Sequence, residues 1–362
     1  MSDKIDAINL WELEIRAREL LSPMGYDFYA SGANDEVTLR ENRAAYERIT
    51  LLPRTLVDVS VRDMSTTVLG EPVSMPILIA PMALQGLAHP DAEIATIKAA
   101  SAFKTLTALA TLSNTSIEEA MAAATGPIWF QLYVFRDRAL TASLVQRAEA
   151  AGCKAVALTV DVPLPGKRER DVRNRLTLPD HLSLKNLLPA GLHQLPKDAV
   201  GSGLAAHVAS LFDPALSWKD IEWLAQLTKL PVIVKGILRA DDALRAMNHG
   251  ASGIIVSNHG GRQLDTTPAS ISVLPEIVDA VTGAVEVYVD GGIRRGTDIL
   301  KAMAYGARAV FVGRPILWGL AVGGEAGVKY VLEMLRDEFD LAMALAGCPG
   351  LSAITRDLVG TS

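Results

Sequence analysis

From residue 76 onward, short apolar runs rich in Val, Ile and Leu recur, each closing on Gly, Pro, Ser, Asp or His and most followed by an Ala-rich stretch with helical spacing. The runs are 76–82, 106–113, 127–133, 155–162, 231–237, 253–259, 286–292 and 309–315. Strands that are apolar on both faces belong to a parallel sheet covered by helices. Eight such units predict an α/β fold, a closed (β/α)8 TIM barrel, with a doubly wound sheet as the alternative. Intervening helices are predicted at 91–101, 116–124, 139–151, 218–228, 240–248 and 297–305; several open on Asp, Ser or Thr and two close on glycine, at Gly250 and Gly306.

Two segments break the rhythm. Residues 1–60 read as charged helices and 61–72 as a small hairpin, so 1–72 forms an N-terminal extension to a barrel over 73–362, the whole of 1–362 being one domain. Residues 163–217 hold Pro163, Pro165, Pro179, Pro189, Pro196, Pro214 and the cluster Gly201-Ser202-Gly203 with little periodicity. So long a loop after the fourth strand is expected to be a mobile lid over the catalytic face.

Composition narrows the class. Apolar residues make up 49% and aromatics 5%, enough to fill a large core and too apolar for disorder. The formal charge of −6 gives no net attraction to nucleic acid or anionic lipid. Cys153 and Cys348 fit neither a disulfide framework nor a zinc pattern, and no metal is expected. The charged N-terminus lacks a secretory apolar region, the longest charge-free stretch, 72–90, is broken by prolines, and the final Leu-Val-Gly-Thr-Ser is no peroxisomal address. A cytoplasmic protein with no membrane or nucleic-acid partner is the expectation.

Chemistry concentrates where the strands end. In order these ends carry Met82 and Gln85; Thr111 and Ser113; Gln131 and Tyr133; Thr159 and Asp161; Lys235; Ser257, Asn258 and His259; Asp290, Gly291 and Gly292; and Gly313 and Arg314. A ring of polar ends points to one large polar ligand at the C-terminal face. The seventh and eighth ends place glycines beside Arg294 and Arg314, the composition of a phosphate site; tight turns with solvent-facing arginines are the alternative. No GxGxxG or GxxxxGK(S/T) is present.

Lys235 closes an apolar strand and suits either a Schiff base or the holding of negative charge. His259 suits a general base, and Arg262, three residues on, a carboxylate clamp. Together they imply an acid deprotonated beside its carboxylate. Asp161 either orients that histidine or serves as a loop or cap carboxylate. His89, His181, His193, His207 and His249 lack comparable company and read as structural or surface residues.

With these blocks in hand, the chain resembles the FMN-dependent (S)-2-hydroxy acid oxidases and dehydrogenases over nearly its whole length. The resemblance rests on Ser257–Asp265 (SNHGGRQLD), Ala80-Pro81-Met82-Ala83, Gln131-Leu132-Tyr133, Thr159-Val160-Asp161-Val162-Pro163, Asp290–Arg295 and Gly313-Arg314. It implies that His259 is the base, that Asp161 pairs with it once protonated, and that Arg168 and Arg262 bind the substrate carboxylate. Tyr26 and Tyr133 would hydrogen-bond the substrate, and Lys235 would stabilise the anionic reduced ring near its N1 and O2. Pro81, Met82, Ala83, Gln131, Thr159, Ser257, Asp290, Gly291, Gly292, Ile293, Arg294, Gly313 and Arg314 would hold FMN. Met82 and Leu112 stand where glycolate-oxidising members carry threonine and tryptophan, Ala110 replaces a serine that meets the flavin, and Phe212 is a further wall candidate.

That wall suits a methyl group, and with Leu112 and Phe212 included the chain resembles the lactate-oxidising cyanobacterial branch. The resemblance implies L-lactate oxidation to pyruvate with oxygen as acceptor and hydrogen peroxide as product, in a homotetramer. Glycolate or another (S)-2-hydroxy acid, or a dehydrogenase with another acceptor, is the alternative. A Schiff-base aldolase on Lys235 leaves Arg262 and the phosphate site without a role, and a non-catalytic scaffold leaves His259, Asp161 and Lys235 without one.

Overall fold

The computed structural model describes residues 5–175, 177–190 and 210–361. Three helices come first, α1 (Leu10–Leu20), α2 (Pro23–Ala30) and α3 (Val37–Arg48), followed by β1 (Ile49–Leu51). A hairpin of β2 (Thr66–Val68) and β3 (Glu71–Val73), in the segment expected to hold one, leads into the barrel. Its strands are β4 (Ile77–Ile79), β5 (Thr107–Ala110), β6 (Ile128–Leu132), β7 (Ala155–Thr159), β8 (Val232–Ile237), β9 (Gly253–Val256), β10 (Glu286–Asp290) and β11 (Ala309–Val312). They pair in chain order, all parallel, and β11 closes on β4 with Val310 opposite Ile77. Every predicted apolar run is therefore a barrel strand, and the doubly wound alternative falls. A last strand, β12 (Val359–Thr361), pairs antiparallel with β1.

Between and after the strands lie α4 (Ala92–Ala102), α5 (Ile117–Ala123), α6 (Arg138–Ala151), α7 (Glu169–Asn174), α8 (Lys219–Leu227), α9 (Ala240–Asn248), α10 (Ser270–Val281), α11 (Gly296–Ala304) and α12 (Arg314–Ala346). Ser116 caps α5 in a reciprocal capping box with Glu119, and Gly250 and Gly306 adopt the left-handed conformation past α9 and α11, as their positions suggested. Helix α10 escapes the sequence pattern because Pro275 lies inside it. Helix α12 escapes it because Gly323 and Gly324 interrupt its regular backbone. Among the described residues no helix is long and apolar enough to cross a membrane.

The barrel interior is filled from alternate positions: Leu78, Ala108, Trp129, Ala157, Ile233, Ile255, Tyr288 and Phe311 form one buried cluster. Large and small side chains complement each other, with Trp129 edge-on to Tyr288 at 5.2 Å between centroids and alanines opposite. Helix α3 is fastened across the barrel mouth. Asp265 accepts from the backbone N–H groups of Val37 and Thr38, and Asn42 exchanges side-chain hydrogen bonds with Asn258. The middle of the expected lid, 191–209 with Pro196, His193, His207 and Gly201–Gly203, lies outside the described residues. Its flanks return to the mouth, where Phe212 bridges to Phe135.

Candidate active site

Side chains alternate along a strand, so the positions two residues beyond the interior layer face the same way at the barrel mouth. These are Ala80, Ala110, Gln131, Thr159, Lys235, Ser257, Asp290 and Gly313, and all but Ser257 line one cleft that opens partly to solvent. Ser257 is fully buried behind it: its hydroxyl accepts from Lys235 Nζ at 3.1 Å and from the His259 N–H at 3.0 Å. It thus supports two site residues from just behind the cleft lining. Lys235 also pairs with Asp290 Oδ2 at 3.5 Å. Gln131 donates to Thr159 Oγ1 at 2.9 Å, which leaves the threonine hydroxyl proton directed elsewhere.

His259 stands just past β9 with a left-handed φ of +58°, followed by Gly260 at +65° and Gly261 at +75°. A Cβ at Gly261 would lie 2.7 Å from the Leu39 nitrogen, so the turn needs glycine there. The turn directs the imidazole into the cleft, with Nδ1 3.0 Å from Asp161 Oδ1 and 3.2 Å from Oδ2. A carboxylate on Nδ1 keeps the proton on that nitrogen and leaves Nε2 with a lone pair. Burial pushes the His259 pKa below its ordinary value, with Lys235 and Arg262 adding to the effect and Asp161 opposing it. Burial alone would raise the Asp161 carboxyl, but His259 and Lys235 outweigh it and hold it below the usual range. The pair therefore rests as neutral imidazole and carboxylate, the state of a base awaiting a proton. If so, substrate turnover falls on the acid side with a midpoint below about 6.5, the ordinary imidazole value; a pH series of the single-turnover rate checks this.

Facing the histidine are two arginines, each held along one edge. Arg168 Nε donates to Asp171 at 2.6 Å, and Arg262 Nη1 donates to the carbonyls of Phe28, Tyr29 and Ser31. Both guanidiniums lie over the Phe28 ring, at 6.0 Å and 5.3 Å from its centroid. Burial drives the Arg262 pKa well down, and the neighbouring Arg168 and Arg314 add to this. Clustered buried cations of this kind call for an anion. Tyr133, stacked on Phe212 at 4.5 Å, also lines the cleft, and burial raises the pKa of its hydroxyl.

The structure corrects the placement of Tyr26. Its hydroxyl bonds Glu14 at 3.3 Å and its ring stacks on Trp318, away from the cleft. Phe28 and Tyr29 line the cleft instead, because the carbonyls of the last turn of α2 are the ones anchored by Arg262 and Arg314. The buried positions Gly25, Phe28 and Tyr29 follow i, i+3, i+4 spacing, and that helical phase is the signal that separates them from Tyr26. The other expected residues, Ser257 and Asp161 apart, from Pro81, Met82 and Ala83 through Leu112 and Phe212 to Ile293, Arg294 and Arg314, all line the cleft. Asp161 lies behind His259. Of the remaining histidines, His249 pairs with Glu222 and His89 with its neighbour Asp91, and His181 is exposed.

The residues present fit FMN. Asp290 Oδ1 is buried with no partner among the described residues, an acceptor ready for a hydroxyl. Arg294 and Arg314 line the cleft together, burial lowers both pKa values, and Arg314 is pushed down to about 10 by burial with the like charge of Arg294 adding to it. A phosphate relieves that repulsion. Arg314 itself is steered by the carbonyls of Tyr29, Gly260 and Ser31.

Residues 17–361 match the family described as FMN-dependent dehydrogenase. The chain is 54% identical to glycolate oxidase 1 of Zea mays over 348 residues, covering 96% of this chain and 94% of that one. It is 53% identical to glycolate oxidase of Spinacia oleracea over 352 residues, covering 97% and 95%. Among solved structures, mandelate oxidase with (S)-4-hydroxymandelic acid superposes with a TM-score of 0.93 at 44% identity, covering 98% of this chain and 99% of that one.

Proposed function

Because the chain belongs to the FMN-dependent dehydrogenase family, uses FMN and oxidises a 2-hydroxy acid, we propose that its substrate is L-lactate, converted to pyruvate with oxygen as acceptor and hydrogen peroxide as product. The observation that carries the substrate assignment is the wall of Met82, Leu112 and Phe212 in the same cleft as His259 and the two arginines. It offers apolar contact and no hydrogen-bond donor, the surroundings a methyl substituent prefers.

In this reading Arg168 and Arg262 grip the carboxylate with the edges their anchors leave open. Tyr133 hydrogen-bonds the substrate, and His259 Nε2 takes the proton released as the hydroxy acid is oxidised. Asp161 keeps the imidazole in the required tautomer and then balances the imidazolium charge. Bound FMN supplies the two-electron acceptor. Gln131, Thr159, Lys235, Asp290, Arg294 and Arg314 would hold it, Lys235 bringing a positive charge to it. The ion pair of Lys235 with Asp290 and its contact with Ser257 support that role over a Schiff base.

The names of the plant relatives favour glycolate as a second reading. The two acids differ by one methyl, worth about 1–3 kcal/mol in an apolar pocket. Anaerobic bleaching of the bound FMN by L-lactate, D-lactate and glycolate separates the readings. The triple variant Leu112→Trp, Met82→Thr, Phe212→Val is expected to move the lactate-to-glycolate ratio of kcat/KM toward glycolate by about 10- to 100-fold, because an indole fills the methyl's volume. An unchanged ratio with FMN content intact removes the support for lactate.

A further inference from the structure

Two chain segments supply the reacting end of the cleft: the one after β7, with Asp161 and Arg168, and the one after β9, with His259 and Arg262. Each carries one half of the base pair and one half of the arginine pair. Joining them is a single buried carboxamide, that of Gln263. Its Nε2 donates to the carbonyls of Asp161 and Leu164, both at 2.9 Å, and its Oε1 accepts from the Gly166 N–H at 3.0 Å. The amide thus spends both donor protons and its acceptor on the 161–166 arch. Contact is so close that a Cβ on Gly166 would lie 2.4 Å from the Arg262 carbonyl oxygen and 2.7 Å from Gln263 Cα.

We propose that Gln263 is a positioning residue that holds the post-β7 arch against the post-β9 turn, and so sets the Asp161–His259 and Arg168–Arg262 pairs together. This rests on the roles given to those four residues under Proposed function. Because Gln263 grips backbone at both Asp161 and Gly166, loosening it releases the arch on either side of its bend. The carboxylate then slackens against Nδ1, and Arg168 drifts from its partner. The charged groups facing His259 are Asp161, Lys235 and Arg262. Asp161 alone raises the imidazole's proton affinity, so its retreat moves the acid limb of turnover to lower pH.

The test compares wild type with Gln263→Met, which keeps length and loses all three bonds, and with Gly166→Ala, which keeps the carboxamide but forces the same two segments apart. Bound FMN content and the visible spectrum are the folding control. Both variants are expected to lose about 10²-fold in the single-turnover rate with L-lactate, as for a misplacement near 1 Å. Both should also shift the acid midpoint downward and weaken binding of oxalate, a dicarboxylate without a hydrogen to lose, by about 10-fold. A slower rate with unmoved midpoint and unmoved oxalate affinity would reduce Gln263 to packing and overturn the proposal. If wild type itself is not bleached by any 2-hydroxy acid, the reading of the reaction fails, while oxalate affinity still reports whether Gln263 sets the arginine pair.

Discussion

His259→Gln is expected to retain FMN and to slow its bleaching by L-lactate by about 10⁴-fold, the upper end of what a positioned base contributes and about 5.4 kcal/mol of barrier. Glutamine has neither the lone pair nor the proton affinity of Nε2, so the proton leaving the substrate has no acceptor within the cleft. FMN retention follows from geometry: the residues that fit the cofactor, Gln131, Thr159, Lys235, Asp290, Arg294 and Arg314, come from other strand ends and keep their partners. Stopped-flow absorbance under anaerobic conditions measures the rate. More than a few percent of the wild-type rate would place the base elsewhere.

Asp161→Asn is expected to cost nearly as much for a different reason. An asparagine amide turned toward Nδ1 donates to it, which moves the imidazole proton to Nε2 and removes the lone pair from the side that meets substrate; comparable tautomer reversal in a catalytic triad costs about 10⁴. The loss of Asp161 also deprives His259 of the one neighbour that raises its pKa against burial, Lys235 and Arg262. What activity remains should therefore have its acid limb at lower pH than wild type, a signature His259→Gln cannot show. Since Asp161 lies behind the histidine and not in the cleft wall, FMN binding is unchanged. An Asp161→Asn enzyme with wild-type rate and wild-type pH profile would leave the carboxylate with no more than a loop role.

The barrel was legible because burial on both faces writes itself into the chain as apolar runs, a local property that needs no knowledge of partners. The strand-end residues were legible for a related reason: within such a run, Gln131, Thr159, Lys235 and Asp290 are costly unless a ligand or partner answers them. Pattern also placed His259 and Arg262 on one turn. What the pattern could not carry was anything set by contacts between distant segments. Only the seating of α2 against Arg262 and Arg314 decides that Phe28 and Tyr29, and not Tyr26, reach the cleft. Only closure of the barrel brings Asp161 within 3.0 Å of His259 across 98 residues of chain. Helix α10 holds its course through Pro275, where local preference reads a break, whereas α12 does bend at Gly323-Gly324 and only packing carries the chain on beyond them. Gln263 is one more polar residue in a glycine-rich turn until the 161–166 arch folds around it, because a carboxamide's hydrogen-bonding partners are chosen by the tertiary structure and leave no trace in the spacing of the chain.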